Sequence, residues 1–455
     1  GGVRTALFNW LFSKNQGGTF HLRIEDTDRA RSTEESVQAI FDGMAWLDLT
    51  HDEGPFFQTD QFPRYLDVIQ QLLKQGDAYY CYCSAEEVEA MREEQRANKQ
   101  KPRYNGKCRH RTEPVEGVTP VVRFKNPEQG EVVFDDLVRG EISIANQELD
   151  DLIIARSDGT PTYNLTVVVD DLDMNMTHVI RGDDHINNTP RQINIMKALG
   201  GNIPRFAHVP MILGDDGARL SKRHGAVSVM QYRDEGFLPE ALLNYLVRLG
   251  WSHGDKELFS RDEMIELFDI KDVNRTASAF NTEKLLWINQ QYIINSDPQR
   301  LVEPLAEQLK ALDCDVEKGP SLIEIVKTQQ ERSKTLKEMA EKSLMFYKEY
   351  DEFDEKAAKK NLKEASLEPL EMMRDKFKAL DEWSKEPLHQ IILGTAEALE
   401  LKLGKVAQPL RVALSGTSVS PALDATLFLL GKELSIKNIN RGIDYIKNRI
   451  LQQES

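Results

Sequence analysis

The sequence predicts a multidomain α/β plus all-α protein, in which a Rossmann-type parallel-sheet catalytic domain carries an α+β insertion and is followed by helical C-terminal domains. Short apolar runs alternate with helical patterns in the first half of the chain. Three cysteines and several extended runs interrupt that alternation, and helical periodicity dominates after Pro239. At 455 residues, the chain also exceeds what one hydrophobic core usually serves.

The order of these patterns predicts five segments along the chain. The runs LIIA, NLTVVVDD and MTHVIRGDDH, rich in β-branched residues, predict buried parallel strands after the insertion. In the helical half, the strand signal is limited to short fragments such as PLRVALSG. The segments are a first catalytic half, an insertion, a second catalytic half, a helical domain and a last helical domain: residues 1–76, 77–150, 151–230, 231–305 and 306–455.

Composition excludes several classes of protein. Charged residues make up 29% of the chain, and no apolar run reaches the roughly 18 residues that a membrane span needs. The four cysteines do not indicate a disulfide scaffold, and the first residues do not resemble a secretory signal. We therefore expect no membrane partner and a cytoplasmic location. The net charge of -16 argues against indiscriminate coating of nucleic acid, but it permits a local basic site.

Two short-spaced pairs of metal-binding residue types lie in the predicted insertion. Cys81 and Cys83 form the first pair, and Cys108 and His110 form the second. Tetrahedral Zn²⁺ is held by such pairs when a loop or hairpin brings them together. Tyr104 is an alternative to His110 as the fourth ligand, and unliganded buried thiols are the alternative to a metal site. The same stretch is rich in basic residues and predicts a phosphate-binding patch, or otherwise a solvated loop, formed by Arg96, Lys99, Lys101, Arg103, Lys107, Arg109 and Arg111.

Charged side chains follow two of the predicted strands. Arg23, Glu25 and Asp26 end one strand, and Arg181, Asp183 and Asp184 end another. In an open α/β sheet, ligands bind at the carboxyl ends of the strands. An arginine and a pair of carboxylates at each end would suit a small zwitterion, although an ordinary surface ion-pair network would have the same pattern.

A basic loop, GDDGARLSKRHGAVSV, follows the second half of the predicted sheet. It places Arg219, Lys222, Arg223 and His224 around Ser221. Such a loop can neutralise the charge that develops as pyrophosphate leaves a nucleoside triphosphate. It lacks the GxxxxGK[ST] spacing of a Walker loop.

Over essentially its whole length, the sequence resembles the bacterial glutamyl-tRNA synthetases, which are class I aminoacyl-tRNA synthetases. The blocks that carry the resemblance are RIEDTDRARS, NQELDDLII, PTYNL, VIRGDDHINNTPRQ, LSKRHGAVS and PEALLNYLVRLGWS. The resemblance implies ATP-dependent ligation of L-glutamate to tRNA(Glu) through a glutamyl-adenylate, with transfer to the 2'-hydroxyl of the terminal adenosine. It also implies Mg²⁺ with ATP, and a monomer.

The two signature motifs of this class are matched to different extents. Gly1 and Gly2 look like the last two positions of the first signature, and we expect that its earlier residues were omitted or truncated. The second signature matches the basic loop, which implies catalytic roles for Arg219, Ser221 and Lys222. The resemblance further implies that Gly1, Gly2 and Lys222 bind ATP.

Further roles follow from the resemblance alone. Glu25 would bind the substrate ammonium, Tyr163 would line the amino-acid pocket, and Arg181 would pair with the side-chain carboxylate of glutamate. Arg23 would lie close by, and Asp184 would lie on the nucleotide side. The cysteine pairs match a structural zinc site that some members carry in the insertion, which would contact the acceptor stem.

In the helical half, the resemblance implies that Arg332 reads the last anticodon base. Arg411, Ser420, Pro421 and Leu423 would contact the anticodon loop, where a splayed single strand exposes base edges to side-chain donors. Two alternatives stay open: a relaxed enzyme that also charges tRNA(Gln), and a tRNA-binding protein without synthetase activity.

Overall fold

The computed structural model describes residues 2–27, 32–220 and 228–454. The chain divides into two compact units, Gly1–Met230 with Leu243–Thr282, and Gln231–Leu242 with Glu283–Ser455. Some residues that the sequence assigns to nucleotide binding and catalysis lie outside the described residues: Gly1, Ser221 and Lys222. The same holds for Arg223 and His224 of the basic loop. Among the helices of the described ranges, none combines the length and hydrophobicity of a membrane span.

Strands and helices alternate over the first 280 residues, and helices follow. The strands are β1 (His21–Ile24), β2 (Glu53–Phe57), β3 (Ala78–Cys81), β4 (Val121–Phe124), β5 (Glu131–Asp136), β6 (Gly140–Ala145), β7 (Ile153–Ala155), β8 (His178–Gly182), β9 (Arg205–Val209), β10 (Ile212–Leu213) and β11 (Ser278–Ala279). The earlier helices are α1 (Gly2–Asn15), α2 (Glu34–Trp46), α3 (Phe62–Gln75), α4 (Ala85–Ala97), α5 (Tyr163–Asp173), α6 (Thr189–Ala198), α7 (Val229–Asp234), α8 (Pro239–Arg248) and α9 (Arg261–Leu267). The later helices are α10 (Thr282–Asn295), α11 (Pro298–Ala311), α12 (Leu322–Gln329), α13 (Leu336–Ser343), α14 (Glu355–Asn361), α15 (Leu367–Lys378), α16 (Lys385–Ala398), α17 (Leu403–Ser415), α18 (Leu423–Leu430) and α19 (Lys432–Glu454).

The strands of the first unit form four small sheets. β1 pairs with β2 and β10 with β11, both in parallel, and β3, β4 and β7 form an antiparallel sheet. The fourth sheet has the order β6-β5-β9-β8, in which β9 is parallel to both of its neighbours. The β5-β6 hairpin therefore joins this sheet although it lies within the predicted insertion, 77–150. The domain boundaries proposed from the sequence stay predictions.

Two of the predicted parallel strands are wrong. LIIA does form a strand, β7, but it pairs antiparallel with β4, in the sheet that also contains β3. The run NLTVVVDD lies in helix α5, not in a strand. Its side chains at 165, 168 and 169 are buried in a core that also contains residues of α3 and α6, and Leu172 packs against that core. These four positions have the spacing of one helix face. Packing of that face outweighs the preference of three consecutive valines for a strand.

The second unit is helical, as predicted, and α19 packs against both α15 and α17. The fragment PLRVALSG does not form a strand, because most of it lies in α17. Val406, Leu410, Ala413 and Leu414 of that helix are buried, at positions that again share one helix face. In contrast, the two-residue strand β11 lies in a region that the sequence predicted to be helical.

A cluster of buried amides joins α6 to the segments that flank the β5-β6 hairpin. Asn194 Nδ2 donates to Asn126 Oδ1 at 2.8 Å and to Asn146 Oδ1 at 2.9 Å. All three residues are at most 6% exposed. Because water does not reach these groups, each amide depends on the others for its hydrogen bonds.

We expect Asn194→Ala to lower the free energy of unfolding by about 2 kcal/mol, because it leaves two buried acceptors without their donor. Denaturant unfolding of the full chain measures the effect. Lys197→Ala, on the exposed face of the same helix, is the matched control and should change the unfolding midpoint little. Equal midpoints for the two variants would contradict a structural role for the amide cluster.

Candidate functional site

A cavity of about 1060 Å³ lies in the first unit, along the ends of β1 and β8. Its lining includes Arg23, Glu25, Tyr163 and Arg181. These are the four residues that the sequence assigns to amino-acid binding, and the structure brings them together around one space.

Arg23 is held by carboxylates of the protein itself. Its guanidinium lies 3.0 Å from Asp171 Oδ1, 3.4 Å from Glu25 Oε1 and 3.5 Å from Asp170 Oδ2. Burial alone would lower the pKa of Arg23, but the three carboxylates together raise it above its ordinary value. Burial raises the pKa of Asp171, although Arg23 opposes that shift. The charge of Arg23 is therefore already compensated, and one of its partners is Glu25.

Arg181 has a different environment. Its Nη2 donates to Thr189 Oγ1 at 2.8 Å, and its Nε donates to His208 Nε2 at 3.3 Å. Within the described ranges, no carboxylate forms an ion pair with it. Burial lowers the pKa of Arg181, and the nearby Tyr163 and Asp171 only partly offset that effect. A partly buried cation without a paired carboxylate can receive an anionic group of a ligand.

The phenol of Tyr163 and the imidazole of His185 together form part of the cavity wall. Tyr163 is the first residue of α5, and its hydroxyl lies 3.2 Å from His185 Nδ1. Burial raises the pKa of Tyr163, although the charge of Arg181 opposes the shift. His185 and Asp171 both line the cavity, and neither was predicted from the sequence. His185 could have been found, since it follows Asp184 directly at the end of β8.

Some of the residues that were predicted to bind ATP or its phosphates lie within the described ranges. Arg219 Nη1 lies 3.3 Å from Asp184 Oδ2, and the Arg219 side chain is 67% exposed. The structure therefore brings together one residue from each of the two predicted nucleotide-binding segments. Gly2 begins α1 and is not among the residues that line the cavity.

Three cysteines of the predicted metal site come together. The thiol sulfurs of Cys81, Cys83 and Cys108 lie within 4.8 Å of one another. The hydroxyl of Tyr104 lies 3.4 Å from Cys81 Sγ and 3.6 Å from Cys83 Sγ, and it accepts a hydrogen bond from the Cys108 backbone N–H. His110 is exposed and does not belong to the cluster. Of the two residues considered for the fourth ligand, Tyr104 lies beside the thiols and His110 does not.

Four residues of the predicted basic patch have acidic partners within the protein. Arg96, Lys101 and Lys107 form ion pairs with glutamates at 2.8 to 3.5 Å. Arg109 is a half-buried structural residue, because it pairs with Asp151 at 2.6 Å and donates to the carbonyl of Asn126. These residues therefore do not form a uniformly basic surface.

The predicted anticodon residues lie in the second unit. Arg411, on α17, donates through Nη1 to the carbonyl oxygens of Ser420 at 3.0 Å and Pro421 at 2.8 Å. Leu423 begins α18 and is only 8% exposed. The Arg332 side chain is exposed, and no carboxylate pairs with it in the part of the chain that the structure describes. Burial, and secondarily the charge of Arg332, lower the pKa of Arg411.

Parallel strands with a ligand-sized cavity at their ends, followed in the chain by a helical unit, are the arrangement expected of a class I tRNA synthetase. The family model described as "tRNA synthetases class I (E and Q), catalytic domain" matches residues 1–287. The model described as "Anticodon binding domain" matches residues 300–443. The chain belongs to the family of class I tRNA synthetases (E and Q).

Relatives that are named as glutamate–tRNA ligases match nearly the full length of the chain. The chain is 61% identical over 449 residues to glutamate–tRNA ligase 1 of Nitrosococcus oceani, covering 99% of this chain and 96% of the relative. It is 60% identical over 447 residues to glutamate–tRNA ligase 1 of Alkalilimnicola ehrlichii, covering 98% and 95%.

Solved structures share the fold. The crystal structure of a glutamate tRNA ligase from Elizabethkingia meningosepticum in complex with its amino acid matches with a TM-score of 0.87 at 32% identity, covering 98% of this chain and 96% of that chain. The resemblance and the fold class predicted from the sequence are confirmed by these matches.

Proposed function

We propose that this protein is a glutamate–tRNA ligase that uses ATP with Mg²⁺ to join L-glutamate to tRNA(Glu). The observation that carries the proposal is Arg181, a partly buried cation in the cavity wall that forms no ion pair with a carboxylate of the described residues. Relatives at about 60% identity are named glutamate–tRNA ligases. The alternative of a tRNA-binding protein without enzymatic activity is not favoured, because the match to the catalytic-domain model covers residues 1–287.

The reaction has two steps. The α-carboxylate of glutamate attacks the α-phosphorus of ATP and releases pyrophosphate, and the 2'-hydroxyl of the terminal adenosine then displaces AMP from the glutamyl-adenylate. No protein nucleophile is needed. The protein contributes alignment of the reactants and stabilisation of charge on the phosphates. For the second task we propose Lys222 and Ser221, together with Arg219. We propose that Asp184, Gly1 and Gly2 bind the nucleotide.

The cavity residues divide the recognition of glutamate between them. Arg181 pairs with the side-chain carboxylate, and Glu25 receives the ammonium group. Arg23 lies 3.4 Å from Glu25 and orients it, since Arg23 is itself fixed by Asp171. Tyr163 forms part of the wall beside the amino acid.

We expect the full-length protein to charge tRNA(Glu) with radiolabelled glutamate. We expect Arg181→Gln to raise the KM for glutamate about a hundredfold, because the side-chain carboxylate of glutamate would lose its charged partner in a partly buried site. Steady-state charging measures both. Arg191→Gln is the matched control, because Arg191 lies on α6 and does not line the cavity. Absence of charging by the wild type, or an unchanged KM in Arg181→Gln, would refute the proposal.

Discrimination between tRNA(Glu) and tRNA(Gln) is proposed to depend on Arg332. The two anticodons differ in their last base, and an exposed guanidinium can donate two hydrogen bonds to a base edge. Arg411 is less suited to reading, because its Nη1 is already bonded to the loop carbonyls. Arg411, Ser420 and Pro421 maintain the shape of the protein loop between α17 and α18, and Leu423 anchors the end of that loop.

We expect Arg332→Gln to reduce the preference for tRNA(Glu) over tRNA(Gln) about tenfold, because the fixed pair of donors is lost. The ratio of kcat/KM values for the two purified tRNAs measures this. Lys334→Gln, which removes an exposed charge two residues away, controls for electrostatics alone. If both variants lose affinity for both tRNAs equally, Arg332 binds the backbone and reads no base.

We propose that Cys81, Cys83, Cys108 and Tyr104 hold a structural Zn²⁺. The donor set fits this ion, because three thiol sulfurs within 4.8 Å and one hydroxyl oxygen among them match the sulfur-rich, four-coordinate sites that zinc prefers. The ion would hold the end of β3 against the turn that contains Cys108. The cytoplasmic location and the monomeric state expected from the sequence also stay proposals.

We expect the purified protein to contain about one zinc ion per chain, and Cys108→Ser to lose it. Tyr104→Phe should weaken zinc retention during dialysis against a chelator, and His110→Ala should not, because His110 lies outside the cluster. Cys314→Ser is the control for removal of a cysteine elsewhere. Loss of zinc in His110→Ala with retention in Tyr104→Phe would restore His110 as the ligand.

A further inference from the structure

A chain of buried polar side chains lies behind Arg181 in the first unit. His208 Nε2 is 3.3 Å from Arg181 Nε and 2.9 Å from Thr189 Oγ1, and His208 Nδ1 is 2.6 Å from Asp136 Oδ2. The exposed fractions of Asp136, Thr189 and His208 are 1%, 0% and 0%. None of the three lines the cavity, so none can contact the substrate from this position.

The sheet brings these residues together. In the parallel pairing of β8 with β9, Arg181 lies opposite His208, and opposite neighbours project from the same face of a sheet. Asp136 is the last residue of β5, the strand on the other side of β9. Thr189 is the first residue of α6. Three elements thus converge on one guanidinium.

The hydrogen bonds of this group have a definite direction. Asp136 accepts from four protein donors: the backbone N–H groups of Val138, Arg139 and His208, and the His208 ring. These donors hold the pKa of Asp136 below its usual range, although burial opposes the shift. A charged carboxylate beside Nδ1 fixes the proton there and leaves Nε2 as an acceptor. Burial lowers the pKa of His208, which keeps the ring neutral.

Arg181 is consequently held by two neutral acceptors, the His208 Nε2 atom and the Thr189 hydroxyl. This contrasts with Arg23, which is held by three carboxylates. A carboxylate in the place of His208 would also fix the guanidinium, but it would neutralise the charge that a ligand carboxylate needs. The charge of Asp136 is separated from Arg181 by the whole imidazole ring.

We propose that His208, supported by Asp136, is a positioning residue that orients Arg181 for the side-chain carboxylate of glutamate and leaves the arginine charge available to it. This inference rests on the proposed function, because it takes Arg181 as the group that binds glutamate. His208 itself acts only through Arg181. The same argument makes Thr189 the second positioning contact.

The test uses His208→Phe, which retains an aromatic ring against Phe206, the stacked neighbour of His208, but removes both nitrogens. We expect the KM for glutamate to rise about tenfold, with smaller changes in kcat and in the KM for ATP. His208→Gln should recover most of the loss, because its amide oxygen can accept from Arg181. Thr189→Val, which removes the hydroxyl and keeps the shape, provides a second measurement if His208→Phe does not fold.

Two comparisons separate positioning from a general structural effect. Val209→Ala, at the next buried position of β9, should lower stability without changing the KM for glutamate. In an Arg181→Gln background, His208→Phe should raise that KM no further, since its target is gone. An unchanged KM in His208→Phe and Thr189→Val, or additive effects in the double variant, would overturn the inference. If Arg181→Gln itself leaves the KM unchanged, the proposed function fails first.

Discussion

The position of Arg181 in the cavity wall depends on the parallel register between β8 and β9. This register places Arg181 opposite His208, and the side chains of both then emerge on one face. A shift of the register by one residue would direct Arg181 to the other face of the sheet. The hydrogen bond from β5, through Asp136 to His208, joins a third strand to the pair. The position of one guanidinium is therefore set by the pairing of three strands.

The two arginines of the cavity show how a fold assigns different tasks to the same residue type. Arg23 is surrounded by carboxylates that cancel its charge, so its effect is to fix the geometry of Glu25 and Asp171. Arg181 is contacted by neutral acceptors, so its direction is fixed while its charge is not cancelled. Leaving a cation in that state costs stability, because burial disfavours the charged form. A ligand carboxylate recovers this cost, whereas the neutral amide of glutamine would recover much less of it.

The sequence predicted those features that depend on local spacing or on the chemistry of strand ends. Arg23, Glu25 and Arg181 could be grouped because charged residues at the carboxyl ends of strands face a common crevice. The three cysteines could be assigned to one site because cysteines and histidines in short-spaced pairs are typical of a metal site. Helix α5 could have been found from its apolar spacing, but three valines in a row gave a stronger strand signal. Spacing alone could not decide between Tyr104 and His110, because the turn between them determines that the Tyr104 hydroxyl lies beside the thiols and that His110 does not.

Buried polar residues such as His208 and Asp171 could not be predicted in the same way. In the sequence, His208 is one polar residue inside an apolar strand, FAHVP, and nothing local indicates which side chain it faces. Its role depends on which strands are neighbours and on their register. Both are set by contacts between residues far apart in the chain: His208 and Asp136 are separated by 72 positions.

In the second unit, two arginines that the resemblance places at the anticodon also differ in their partners within the protein. Arg411 donates to the carbonyl oxygens of Ser420 and Pro421, so it maintains the shape of the loop. Arg332 is exposed and, among the described residues, has no acid paired with it. The charge of Arg332 contributes to the lowered pKa of Arg411, which means that the two guanidinium groups repel each other. The proposed binding of an RNA loop would relieve that repulsion. Phosphates would supply negative charge, and base edges would supply hydrogen-bond acceptors, to an arginine that has no acidic partner among the described residues.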